Sequence, residues 1–318
     1  MILFEWGTYN ALSTLKQAAL LGTRITEIPP AVLSRKISPD YYENYRMMGK
    51  EYFTLILAHG PYYNLTSERG LKAHLAAIER ATLCGAKIYN YHLGKKIGEG
   101  DVNAHLEILK KFRGINSEMI YSPEPAANEG EFGTLDEIEE LVIAAKEEGI
   151  KIIPSLQLEN IFLNELNAYE NDDLMEASEK VNVKWWLNVL ERMDRISEDM
   201  IHIRFSQVIS IKHGSKVYKK RMPLGMGYPP IEPLAEALST YFVNNSMEKI
   251  VKKVLFIYTG LPDVKYRDLI DIYAKILKLS IDKLMSKKNQ REYGRFYASP
   301  KMEEEKEEDK SQYNIITS

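Results

Sequence analysis

The sequence predicts an α/β barrel of the (βα)8 kind, and three observations carry that prediction. Eight short runs of apolar, β-branched or aromatic residues recur along the chain, most are followed by a helix-period segment, and each is closed by a break rich in Gly, Pro, Asn or His. Parallel neighbours need long crossovers, so strands alternating with helices imply a parallel sheet. Eight repeats suit a closed barrel better than an open doubly wound sheet. The runs are Ile2–Trp6, Ile25–Ile28, Phe53–Ala58, Lys87–Tyr91, Met119–Ser122, Ile152–Leu158, Ile201–Phe205 and Val254–Tyr258. Between them the clearest amphipathic segments are Leu71–Leu83, Val102–Phe112, Leu135–Lys146, Ala177–Arg195, Leu234–Phe242 and Asp268–Met285.

The chain has 318 residues, 45% of them apolar, which accommodates one barrel of about 250 residues with additions. Residues 1–287 are assigned to a single barrel domain and 288–318 to a charged tail. In that tail KMEEEKEED (Lys301–Asp309) holds six acids and almost nothing to bury, so a disordered, solvated terminus is expected. Docking of a protein partner on this acidic tail is the alternative. Residues 301–318 account for the whole net charge of −3, leaving residues 1–300 neutral in sum and arguing against nucleic-acid binding over the entire surface.

Cys84 is the one cysteine, which excludes internal disulfides and Cys-rich zinc sites and fits a small buried apolar residue. No stretch approaches the roughly 20 apolar residues of a membrane span. The start MILFEWGTYN lacks the basic and apolar segments of a signal peptide, and a cytoplasmic location is expected. With no GxGxxG after the first run and no GxxxxGK[ST], no nucleotide cofactor is expected.

A barrel places its chemistry just beyond the strand ends. There the sequence offers His59-Gly60-Pro61-Tyr62, then His92-Leu93-Gly94, then Glu124 after Ser122-Pro123. His202 and Arg204 lie on one face of the seventh run. Imidazoles and a carboxylate converging on one axis suit zinc or manganese. A lone strand-end histidine is ordinarily a hydrogen-bonded loop residue, whereas three ligand types on consecutive strands favour a site. His74 and His105 fall within helix patterns and read as surface or packing residues; His213 reads as an exposed loop residue.

Several segments resemble the endonuclease IV family of AP endonucleases, within the wider xylose-isomerase-like barrels. They are HGPYYNLTS (His59–Ser67), HLG (His92–Gly94), PEPAANEGEFGTLDEI (Pro123–Ile138), IIPSLQLENI (Ile152–Ile161), IHIRFSQV (Ile201–Val208) and KKRMPLG (Lys219–Gly225). Their order covers about residues 1–285 and is closest to the shorter, archaeal-type members. The resemblance implies three zinc ions at the rim that cut DNA 5′ to an abasic site. It assigns His59 and His92 to the first metal, Glu124 to the bridging and catalytic carboxylate, and His202 to the second metal.

The departures from that pattern are large. Anchored on Pro154, Gln157 and Asn160 stand at the positions of a metal-binding Asp and His, and only a one-residue slip would offer Glu159 instead. The third-site acid and His fall at about Tyr218 and at Arg221, and a last carboxylate falls near Gly260. Amides are poor zinc ligands and arginine is a permanent cation. One zinc or manganese ion, held by His59, His92 and Glu124, is therefore expected. Arg204, Lys219, Lys220 and Arg221, within a basic loop at 212–221, would meet a phosphate, with Gln157 and Asn160 as neutral contacts. Tyr62 and Tyr63 would face a distorted duplex or flipped-out sugar. The expected function is an endonuclease IV-like DNA-binding protein of DNA repair with weak, altered or absent nuclease activity. The alternatives are a mono-metal sugar isomerase or epimerase of the same superfamily, and a non-catalytic pseudoenzyme subunit of a complex.

Overall fold

The barrel wall forms where β-branched and aromatic runs alternate with amphipathic helices. The computed structural model describes residues 2–98, 101–126, 128, 130–213, 216–247 and 252–297, without the side chains of 213, 216 and 288–297. The strands in chain order are β1 (Ile2–Tyr9), β2 (Ile25–Ile28), β3 (Leu55–His59), β4 (Ile88–His92), β5 (Ile120–Glu124), β6 (Ser155–Gln157) and β7 (Met200–Phe205), followed by β8 (Gln207–His213), β9 (Lys216–Met222) and β10 (Lys252–Tyr258). Eight of them pair in parallel in the order β5-β4-β3-β2-β1-β10-β7-β6. The two ends of that sheet meet: Tyr121 N donates to Lys151 O at 2.8 Å and Ile153 N to Tyr121 O at 3.0 Å. These bonds bring β5 against the segment entering β6 and make a nearly closed (βα)8 barrel.

The helices are α1 (Leu15–Leu20), α2 (Pro30–Leu33), α3 (Pro39–Tyr52), α4 (Glu68–Leu83), α5 (Asp101–Ile115) and α6 (Leu135–Glu147), then α7 (Leu158–Glu165), α8 (Asn171–Lys180), α9 (Val183–Arg195), α10 (Ile231–Met247) and α11 (Lys265–Tyr297). Two features differ from the reading by periodicity. The single segment Ala177–Arg195 is two helices. Val181 is extended, and the Asn182 side chain accepts from Trp185 N at 3.0 Å, a cap that starts a new helix. In the basic stretch 212–221, residues 212–213 and 216–221 lie not in a loop but in the two strands of an antiparallel hairpin, β8 against β9. The charged tail lies outside the described residues beyond Tyr297. No helix among the described residues is long and apolar enough to cross a membrane.

Side chains two apart on a strand share a face, and that rule builds the barrel interior. Ile25, Leu57, Ile88, Ile153, Leu255 and Ile257 form a buried apolar cluster, with Leu55, Ile120 and Met200 packed on it. Two residues further along the same faces the chemistry changes: Ile25 leads to Glu27, Leu57 to His59, Ile88 to Asn90 and then His92. Likewise Ile120 leads to Ser122 and Glu124, Ile153 to Ser155 and Gln157, Met200 to His202 and Arg204. An apolar floor thus carries a polar rim at the strand C-termini. At Gly7 a Cβ would collide with the Ile25 carbonyl, so a glycine is what lets β1 and β2 close up.

Between wall and helices lies the larger core, and it contains titratable groups. His105 on α5 is buried with its ring stacked on Phe132 at 4.7 Å. Neither of its ring nitrogens has a hydrogen-bond partner among the described residues. Burial lowers its pKa to about 4, against the opposing pull of Asp101 and Glu137. The unfolded chain, with a pKa of about 6.5, therefore binds a proton that the folded chain refuses between those values. His105 stabilises the fold above pH 6.5, and that contribution is lost as pH falls toward 4. The loss is at most about 3 kcal/mol at 1.36 kcal/mol per unit. Urea unfolding of His105→Phe at pH 7 and pH 4.5 should show a smaller acid loss than the parent, by about 2 kcal/mol. Equal losses in both proteins would contradict this assignment.

Candidate functional site

The C-terminal ends of β3, β4 and β5 bring His59, His92 and Glu124 together. One donor atom from each lies within 4.8 Å of the others, the one such group found among the described residues. Strand pairing sets this up, because His92 and Glu124 are register partners and His59 pairs with Asn90. Gly94 helps by taking φ +95°, which turns the chain sharply after His92. The amide of Lys95 then donates to Asn64 Oδ1 at 3.2 Å.

Glu124 uses its two oxygens in different directions. Oε2 is 3.3 Å from His59 Nε2 and 3.3 Å from His92 Nε2, and accepts from Asn90 Nδ2 at 3.1 Å. Oε1 accepts from an Arg204 terminal nitrogen at 3.4 Å. Burial pushes the Glu124 pKa up, but His92, Arg204 and His59 outweigh it and hold the carboxyl well below the usual range. The group is therefore an anion.

The protonation of His59 tests whether a cation fits here. Its Nδ1 lies 2.7 Å from the Gly60 carbonyl oxygen, which can only accept, so Nδ1 carries the proton. Burial, then Arg204, lowers the ring's pKa to about 4, so at neutral pH Nε2 is a bare lone pair. That lone pair faces a carboxylate oxygen, acceptor against acceptor. His92 Nε2 approaches the same oxygen without forming a hydrogen bond. Two imidazole nitrogens and a carboxylate arranged this way suit a zinc-class ion. The Nδ1–carbonyl bond is the usual outer contact of a metal-binding histidine.

The other residues expected at the site separate. His202 is register partner of Ser155, one layer deeper than Arg204, which pairs with Gln157. Its Nδ1 is 2.9 Å from Ser122 Oγ, and burial lowers its pKa to about 3. His202 thus lies outside the three-donor group. Gln157 bonds Thr259 Oγ1 at 3.3 Å and also Glu159. Glu159 is tied in addition to Ser206, by N–H at 3.1 Å and by the hydroxyl. Burial raises its pKa against the pull of Ser206. Asn160 donates to Pro125 O at 3.1 Å, holding the chain after β5. The carbonyl of Gly260 accepts from Tyr9 Oη at 2.8 Å, and Tyr218 lies exposed on β9.

Arg204, expected to meet a phosphate, is buried and gives its terminal nitrogens to Glu27 Oε1 at 3.1 Å and to Glu124. Glu27 escaped the sequence reading. Its signal was parity: it stands two residues after Ile25 on the lumenal face of β2. Burial raises its pKa to about 7 although Arg204 acts the other way. Removing Arg204 would strand two buried carboxylates, a loss of about 3–5 kcal/mol.

Above the donors, the Tyr62 ring lies 5.2 Å from the His59 ring and 5.1 Å from the His92 ring, and is 63% exposed. Tyr63 beside it is 40% exposed. A cavity of about 500 Å³ is lined by Glu27, His59, Tyr62 and Arg204 and, from the hairpin, by Lys219, Lys220 and Arg221. Lys219 sits over the Tyr169 ring at 5.5 Å, and burial lowers its pKa to about 8. Lys212, by contrast, is paired with Glu170 at 3.3 Å.

No protein-family model matches the chain. Over 305 residues it is 71% identical to Uncharacterized protein MJ1455 of Methanocaldococcus jannaschii, covering 96% of this chain and all of that protein. Among solved structures, endonuclease IV from Thermus thermophilus superposes with a TM-score of 0.58 at 17% identity, over 86% of this chain and 99% of that one. A D-tagatose 3-epimerase-like protein gives 0.57 at 15% identity, over 89% and 99%. At such identities the likeness establishes the fold alone, a (βα)8 barrel.

Elemental analysis of protein purified without chelator should find one zinc-class ion per chain. His59→Ala should weaken its binding by more than the about 10–100-fold typical of losing an outer contact, while leaving the circular dichroism spectrum unchanged. Two or three ions per chain would contradict the ligand count.

Proposed function

The chain belongs to the family of the Methanocaldococcus jannaschii protein MJ1455, and we propose that its rim is a one-metal site that binds the DNA backbone in DNA repair. Nuclease activity is slow or absent in this reading. The observation that carries it is the hairpin β8–β9, which holds Lys219, Lys220 and Arg221 over the same cavity that His59 and Tyr62 line. The Lys219 ammonium has no hydrogen-bond partner among the described residues, whereas Lys212 is already paired. Clustered cations beside exposed aromatic faces suit a phosphate backbone with a displaced base or sugar.

The chain's own groups divide the work. Lys220 and Arg221 would attract the backbone, Tyr62 and Tyr63 would offer apolar faces, and His59, His92 and Glu124 would hold the ion. When bound, a zinc or manganese ion supplies charge neutralisation and Lewis-acid polarisation at a phosphate. A sugar isomerase would need a free acid–base pair. Glu27 is engaged by Arg204, and Glu159 by Ser206 and Gln157, which weighs against that chemistry. Backbone hydrolysis with a single ion forgoes the clamp that further ions place on the leaving oxygen.

Fluorescence anisotropy with duplex DNA, with and without an abasic-site analogue, tests the reading. Binding should weaken steeply with salt, at a log–log slope of about −2.7 for about three phosphate contacts. Replacing Lys219, Lys220 and Arg221 by Ala should flatten the slope and weaken all sequences alike. A parent protein that binds neither DNA at low salt would overturn the proposal. Abasic-site duplex should stay essentially uncut over hours at stoichiometric protein; robust, chelator-sensitive cleavage would show that the site works with more metal than its ligands imply.

A further inference from the structure

Glu124 is the one carboxylate in the three-donor group, and half of it is already committed. Its Oε2 faces the two imidazoles, while its Oε1 is held by Arg204. Arg204 cannot swing away, because its other terminal nitrogen is bound by Glu27 at 3.1 Å from the opposite side of the lumen. All three side chains are buried. Glu27 Oε2 and Arg204 Nε have no hydrogen-bond partners among the described residues, and both residues line the cavity above the donors. The guanidinium is thus a fixed positive charge wedged between two carboxylates, in a lumen where an unpaired anion would otherwise attract a cation.

We propose that Arg204, anchored by Glu27, is a built-in cation that occupies the second face of Glu124 and so limits the rim to one divalent ion. The inference rests on the one-metal reading of His59, His92 and Glu124 and adds what sets that number. Its physical basis is competition for a single carboxylate. A guanidinium is always charged and needs no exchangeable ligand. While it sits on Oε1, a second dication there would meet a like charge and find no free oxygen on Glu124. With Arg204 gone, the buried carboxyl groups of Glu27 and Glu124 lose their shared cation, and a second ion can take its place by displacing the proton that Glu27 would otherwise hold. Arg204 and Glu27 are positioning residues in this scheme, acting on the ion through Glu124.

The test is equilibrium dialysis against zinc chloride and, separately, manganese chloride, read by elemental analysis, with folding checked by circular dichroism. The parent should bind one ion. Arg204→Met should bind two. Glu27→Gln combined with Arg204→Met should return to one ion, bound at least tenfold more tightly than in the parent, because nothing competes for Glu124. Arg204→Lys, which keeps the charge, should bind one ion like the parent. A folded Arg204→Met that binds one ion at parental affinity would overturn the proposal, as would a parent that binds two. If Arg204→Met alone does not fold, the double variant decides: no gain in affinity over the parent sinks the idea. A parent that binds no ion would instead remove the one-metal reading itself, and this proposal with it.

Discussion

A single buried carboxylate at the end of β5 has to satisfy two imidazoles on one side and a guanidinium on the other. In a low-dielectric lumen no member of such a set can be left without opposite charge. Asn90 donates to the same oxygen as the imidazoles approach, Glu27 balances Arg204, and Gln157 and Ser206 hold Glu159 aside. The rim is therefore a network in which one guanidinium faces two carboxyl groups, with amides and a hydroxyl holding oxygens of Glu124 and Glu159. Two imidazole Nε2 atoms, that of His59 a bare lone pair, are left aimed at one oxygen.

The floor beneath makes that network possible. Ile25, Leu57, Ile88, Ile153, Leu255 and Ile257 fill the lumen below the rim, excluding water from one side and keeping the field between charges strong. The chain at β2 to β7 contributes apolar side chains low in the barrel and polar ones two residues later, so the transition happens at a common height. The cation-bearing hairpin adds charge outside this scheme, and it stands at the mouth, where steering an anionic ligand needs no burial.

Much of this was legible in the sequence. The eight wall strands lie within a few residues of the runs that predicted them, because β-branched runs broken by Gly, Pro and His are a local signal. His59, His92 and Glu124 were found by the same logic of strand ends. Glu27 was not, since ITEI reads as an ordinary strand until the pairing shows which face of β2 looks inward. For Arg204 the shared face with His202 was correct, but its partner is 177 residues away, and no local pattern announces such a pair. The hairpin was read as a loop because its lysines hide the alternation of Val208, Ser210 and Lys212 against Arg221, Lys219 and Val217. Helix α3 was missed for a related reason: its buried face is Tyr42, Tyr45 and Gly49 rather than aliphatic.

The claim that the account depends on most is that one cation joins His59, His92 and Glu124. Anomalous diffraction from crystals of the protein grown with zinc tests it directly. The account predicts one anomalous peak, about 2.0–2.2 Å from His59 Nε2, His92 Nε2 and a Glu124 oxygen, with the Arg204 guanidinium still on the other oxygen. A map without a peak among these three side chains, or with a second peak between Glu27 and Glu124, would contradict it.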